Sequence, residues 1–233
     1  MPYTVDEILK AYKILVEGIE MDAREDEERA FGGIIRSGKG RLVEGIATHM
    51  IDIAWERLGG EQNRISFNKR IYNIPINPEY INKIKHKEVR DYITANIDDY
   101  YYGLRNDVQV WIDGEIVMAV ECKSYTENAM FKRIMVDFTL LKGVVPNISC
   151  VLLQLESQLG GDYGEPTKEI TYGSRSTHTI RSYFDVDLNI ITLLEGERKV
   201  DRPIHNSKYY KELKKEAVES GIETLMDLLK KYK

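Results

Sequence analysis

The chain has 233 residues, 42% of them apolar and 30% charged, with a formal charge of −5. That balance belongs to a soluble globular protein with one sizeable core, and it excludes a membrane-spanning chain, since no apolar run is long enough. Cys122 and Cys150 are the only cysteines and both sit in apolar runs, which points to buried reduced thiols rather than a disulfide or zinc site.

Thr4-Val5-Asp6-Glu7 has the form of a capping box, and Ile8, Tyr12, Leu15, Val16 and Ile19 follow at helical spacing. The acidic stretch Asp22 to Glu28 reads as a solvated helix end or loop. Ser37-Gly38-Lys39-Gly40 reads as a flexible break, followed by a helix from about Arg41 to Leu58 that Gly59-Gly60 stops. Glu44 lies on a stripe with Thr48, Ile51 and Trp55, an odd place for a lone carboxylate. It either snorkels or pairs with Arg41 or Lys39, or it serves a site. Residues 62 to 80 hold a strand and a loop interrupted by Pro75 and Pro78. Lys83 to Asp91 reads as a short basic helix.

Arg105-Asn106-Asp107-Val108-Gln109-Val110-Trp111-Ile112 and Glu115 to Lys123 flank Asp113-Gly114, a strong signal for a two-residue hairpin turn. Pairing Ile112 with Glu115 sets Asp107 opposite Val120 and next to Glu121. Side chains alternate along a strand, so Glu121 and Lys123 share one face while Cys122 turns away. Two carboxylates and an ammonium at the end of an apolar hairpin are costly unless something binds there, and a hard divalent cation with oxygen ligands suits them. Next come an amphipathic helix from Asn128 to Lys142, with Phe131, Ile134, Met135, Phe138 and Leu141 as its buried stripe, and a buried strand from Ile148 to Leu155.

Asp107 with Glu121-Cys122-Lys123 on a hairpin resembles the PD-(D/E)xK nuclease superfamily. Over residues 40 to 155 the element order is similar too: acid-bearing helix, hairpin, helix, strand. One departure is Asn106, where the family's loosely held Pro would stand. The resemblance implies an α/β (α+β) fold of restriction-endonuclease type, a mixed β-sheet flanked by helices. It also implies Mg²⁺ on Asp107, Glu121 and the Cys122 carbonyl, with Lys123 orienting or activating the attacking water. Glu44 is similar in position to the additional acid that many members carry on the preceding helix.

Residues 157 to 183 are polar and too long for an ordinary connection. They read as a loop whose Arg175, Ser176, His178 and Arg181 suit phosphate and groove-edge contacts. Arg36 and Lys39 belong to a second basic cluster of the same kind. The four histidines, at 49, 86, 178 and 205, have no ligand spacing. A strand from Asp187 to Leu194 and a helical segment over 207–233, broken near Gly221, complete the chain.

We therefore expect a single domain over 1–233, cytoplasmic and prokaryotic. Its size and elaborations look like those of a type II restriction endonuclease, a homodimer cutting double-stranded DNA. A Holliday-junction resolvase or repair nuclease of the same fold is the alternative. A non-catalytic DNA-binding protein is a third reading, from another class, which the intact Asp, Glu and Lys argue against.

Overall fold

In a computed structural model the protein is described over residues 4–25, 31–166, 172–202, 204 and 207–233, with the side chains at 15, 17–25, 31–39 and 207 outside that description. Helix α1 spans Val5–Glu25 and α2 spans Phe31–Arg57. The capping box at the start of α1 forms: the Thr4 N–H donates to Glu7 Oε2 at 2.7 Å, and the Glu7 N–H donates to the Thr4 hydroxyl at 3.3 Å. The expected break at Ser37–Gly40 is absent, because α2 runs through it. Each glycine costs a helix about 1 kcal/mol, but a helix already nucleated by its buried half propagates at small cost per residue. Its end is as expected. Gly60 N–H reaches the Trp55 carbonyl at 2.9 Å and Gly59 N–H the Glu56 carbonyl at 2.7 Å, with Gly59 at φ 72°, the bonds of a Schellman cap.

A five-stranded sheet carries the rest. Strands β1 (Ile65–Asn68), β4 (Val108–Ile112), β5 (Glu115–Glu127), β6 (Ser149–Gln158) and β7 (Leu188–Thr192) lie side by side in that order. The first two pairings are antiparallel and the last two parallel. A two-stranded sheet of β2 (Tyr72–Pro75) and β3 (Tyr101–Leu104) stands apart. The parallel step from β5 to β6 needs a crossover, supplied by α5 (Asn128–Val144), whose buried residues are the expected Phe131, Ile134, Met135, Phe138 and Leu141. One apolar core joins α1, α2 and the C-terminal helix α7 (Lys215–Leu229) to the sheet through Met118, Val120 and Cys122; the other joins α5 through Ala119 and Leu152.

Four expectations shift. The stretch from Lys83 to Asp91 is not one helix: α3 (Pro78–Lys83) ends there and α4 (Lys87–Ala95) begins anew. Asn77 Oδ1 caps α3 by accepting the Glu79 N–H at 2.8 Å. The polar region 157–183 is not a plain loop. It holds the end of β6, a 3-10 turn over Gly161–Gly164 and the short helix α6 (Arg175–Arg181). Ser174 caps α6, and the buried Thr177 hydroxyl reaches Leu159 O and Asn128 Oδ1 at 3.3 Å each. The C-terminal helix begins at Lys215 rather than Ser207. Nor does it break at Gly221, which lies against α2. A Cβ there would fall 2.5 Å from Met50 Cε and 3.0 Å from Ile191 Cγ2, so the glycine permits close packing.

Candidate active site

The hairpin turns at Asp113-Gly114, both at positive φ (52° and 85°), as a two-residue turn of this composition requires. Ile112 faces Glu115 as counted from the sequence, but the register slips one residue between Val110 and Trp111, and Val108 then faces Val120. The inference that Asp107 lies opposite Val120 is thus corrected. A β-bulge carries Asp107 one step on, toward Glu121. Sequence counting could not see it, since an extra residue within an apolar strand leaves no compositional mark.

This shift brings the three site side chains together. Lys123 Nζ donates to Asp107 Oδ2 at 2.8 Å and to Glu121 Oε2 at 2.7 Å. Asp107 Oδ2 also accepts the Cys122 N–H at 2.8 Å. In an extended strand the N–H and C=O of one residue point to the same side, so the Cys122 carbonyl faces the Asp107 side. Its thiol instead packs into the core, where burial pushes it well above the usual thiol range. Glu121 is the most enclosed of the three, its side chain 10% exposed against 29% for Lys123. Burial raises its carboxyl, more than the Lys123 ammonium lowers it. For Lys123 burial works against the charge, but the two carboxylates outweigh it and hold the amine above its ordinary value.

Asn106, where the family pattern would have Pro, is part of this arrangement. It is 1% exposed, and its Nδ2 donates to Glu121 Oε1 at 3.1 Å. A proline has no such donor. Its Oδ1 is buried without a hydrogen-bond partner. The only signal in the sequence was a polar residue immediately before the aspartate.

Beside the hairpin lies a cleft of about 400 Å³ lined by Arg41, Glu44, Thr48, Asn68, Lys69 and Asp107 among others. Glu44 therefore shares a cavity with Asp107. Its partner is not Arg41 but Lys69, whose Nζ is 2.5 Å from Glu44 Oε2; the Lys39 side chain lies outside the described residues. Lys69 was overlooked in the sequence because it lies in a connector with no pattern of its own.

Among the described residues no group of three or more His, Cys, Asp or Glu side chains is gathered as for a metal ion. The donor chemistry still fits a hard cation. Carboxylate oxygens of Asp107 and Glu121 converge on one point, held by a positive ammonium. The Cys122 carbonyl faces that side, and the buried Asn106 oxygen lacks a partner.

Of the residues expected to contact DNA, Arg175, Ser176, His178 and Arg181 do not line this cleft. The Arg36 and Lys39 side chains lie outside the described residues. On α6, Arg175, Ser176 and His178 are exposed. Ser176 accepts from Asn128 Nδ2 at 3.2 Å, and the His178 ring meets Tyr172 O at 2.6 Å. Arg181 donates to Leu188 O at 3.3 Å. No helix among the described residues is long and apolar enough to cross a membrane.

No family model matches the chain. It is, however, 46% identical over 227 residues to the type II restriction enzyme DdeI of Desulfomicrobium norvegicum, covering 95% of this chain and 94% of that protein. Identity over nearly the whole of both chains, together with the mixed sheet and the Asp107, Glu121 and Lys123 hairpin, leads to one conclusion: the chain belongs to the type II restriction enzyme family, with a fold and hairpin of the PD-(D/E)xK type.

Proposed function

We propose that this chain is a Mg²⁺-dependent, sequence-specific endonuclease that hydrolyses phosphodiester bonds of double-stranded DNA, one nuclease domain acting as a homodimer. The observation that carries the reading is the Lys123 ammonium held between the Asp107 and Glu121 carboxylates at 2.8 and 2.7 Å. Its relative is a type II restriction enzyme. Asp107, Glu121 and the Cys122 carbonyl would hold the metal, with Glu44 joining from α2. A bound Mg²⁺ polarises a phosphate and lowers the pKa of a bound water.

The protein's own groups supply the remainder. Phosphodiester hydrolysis asks mainly for positioning and for stabilisation of charge. Lys123, hydrogen-bonded to both carboxylates, would set a positive charge beside the reacting oxygens and orient the attacking water. Asn106 holds one oxygen of Glu121 and leaves the other to Lys123, which fixes the carboxylate's rotation. The cleft beside Asp107 would receive the scissile strand. Exposed Arg175, Ser176 and His178 on α6, with Arg181, Arg36 and Lys39, would position the duplex. A two-fold dimer matches a palindromic target and cuts both strands.

Single-turnover cleavage and duplex binding by Asp107→Ala and Glu121→Ala test the assignment. Both variants should bind and neither should cut; cutting at the wild-type rate by either would sink it. A four-way junction offered beside the linear duplex separates the reading from a resolvase, and sedimentation of the free protein tests the dimer.

A further inference from the structure

We propose that Lys69 is a phosphate-holding residue of the cleft, and that its ion pair with Glu44 is a place-holding contact that a DNA phosphate displaces. This rests on the nuclease reading above.

The backbone beneath Lys69 is fixed with unusual care. Asn68 pairs with Gln109 across the β1–β4 ladder. Gln109 is fully buried, and its amide clamps residue 70 from both sides: Oε1 accepts the Arg70 N–H at 2.9 Å and Nε2 donates to the Arg70 carbonyl at 2.7 Å. The Arg70 guanidinium lies over the Trp111 ring at 4.2 Å. A glutamine inside a sheet is costly unless its amide is satisfied, and here both of its groups are spent on holding this one connector. The base of Lys69 is thus rigid while its side chain stays 51% exposed.

Charge accounting points the same way. The ammonium of Lys123 is already shared by Asp107 and Glu121. Lys69 has Glu44, whose side chain is 28% exposed. An ion pair this open to water is worth at most about 1 kcal/mol. A phosphate entering the cleft takes the ammonium from Glu44 at little cost and forms a charge-assisted bond in exchange. With Arg41 also lining the cleft, the strand that reaches Asp107 meets positive charge beside it.

The test is equilibrium binding of a short fluorescent duplex, carrying the cleavage site mapped with the wild-type protein. Wild type, Lys69→Met, Lys69→Gln and Lys69→Arg are compared in EDTA, over salt from about 50 to about 200 mM. Losing one phosphate contact makes the slope of log affinity against log salt shallower by about 0.9, so the affinity deficit of K69M shrinks by about 3.5-fold over that range. K69Q should match K69M, which guards against misfolding of either variant, and K69R should keep the wild-type slope. Parallel slopes for wild type, K69M and K69Q would overturn the proposal, leaving Lys69 only to neutralise Glu44. In that case adding Glu44→Gln would repair the loss, whereas here the double variant keeps the shallow slope. Magnesium-dependent cutting by the wild-type protein is scored alongside. If it cuts and the slopes are parallel, only this proposal fails; if it cuts no DNA, so that no site can be mapped, the nuclease reading fails and takes this one with it.

Discussion

Replacing Lys123 with methionine removes the ammonium but keeps most of the side chain's volume. Two carboxylates then face one another, with Glu121 nearly enclosed at 10% side-chain exposure. The gross loss is large, since one ion contact at 2.7 Å is worth about 6 kcal/mol at an effective dielectric of about 20. The variant has an escape, however, because Glu121 can bind a proton. Its ordinary value is 4.5, and at 1.36 kcal/mol per pH unit a protonated Glu121 costs about 3.4 kcal/mol at about pH 7 and about 0.7 at about pH 5. These figures cap the electrostatic destabilisation. A carboxyl raised in the folded state makes that state bind more protons, so stability falls as pH climbs through the window above 4.5. Lys123→Met in EDTA should therefore be destabilised by up to about 3 kcal/mol near neutrality and by under about 1 kcal/mol near pH 5. Urea unfolding of both proteins at the two pH values measures this. Equal destabilisation at both would mean that lost packing, not charge, explains the variant, and the electrostatic reasoning would be refuted.

Further predictions concern other contacts. Asn106→Leu removes a donor to a buried carboxylate and should cost about 1.5–3 kcal/mol. It should also raise the Mg²⁺ needed for half-maximal cutting; a metal titration with the wild-type midpoint would deny Asn106 a part in the site. In wild type without metal, the raised Glu121 carboxyl by itself should make stability increase as pH falls toward its ordinary value. Thermal melts with and without Mg²⁺ should show that the metal weakens this acid-side gain. Gly60→Ala places a Cβ 2.1 Å from the Trp55 ring and should cost at least about 2 kcal/mol in urea unfolding; Gly59→Ala is strained instead by its φ of 72°. Arg175→Ala should weaken duplex binding, and an unchanged footprint would place recognition outside α6.

The sequence was most legible where periodicity and turn chemistry act over short distances. Asp113-Gly114 set the hairpin, and the spacing of Phe131, Ile134, Met135, Phe138 and Leu141 set the buried face of α5. The placing of Glu121 and Lys123 on one face followed from alternation along β5. What escaped depends on contacts between distant segments. The bulge that moves Asp107 toward Glu121 is a property of two strands, not one. Gly221 looked like a helix breaker because its reason, the nearness of Met50 and Ile191, lies in other elements. The glycines at 38 and 40 looked like a break for the same cause, their cost being carried by the buried remainder of α2. Asn106 was noticed only as a missing proline; its bond to Glu121 spans 15 positions. Lys69 and Glu44 meet across 25.

The central claim is that Asp107, Glu121 and Lys123 form the site of a metal-dependent, site-specific endonuclease. Incubation of the purified chain with a long unmodified DNA, in Mg²⁺ and in EDTA, beside Asp107→Asn, tests it most directly. The account predicts a discrete set of fragments in Mg²⁺ alone, absent with EDTA and absent with the variant. Intact DNA in Mg²⁺, or the same fragments from Asp107→Asn, would contradict it.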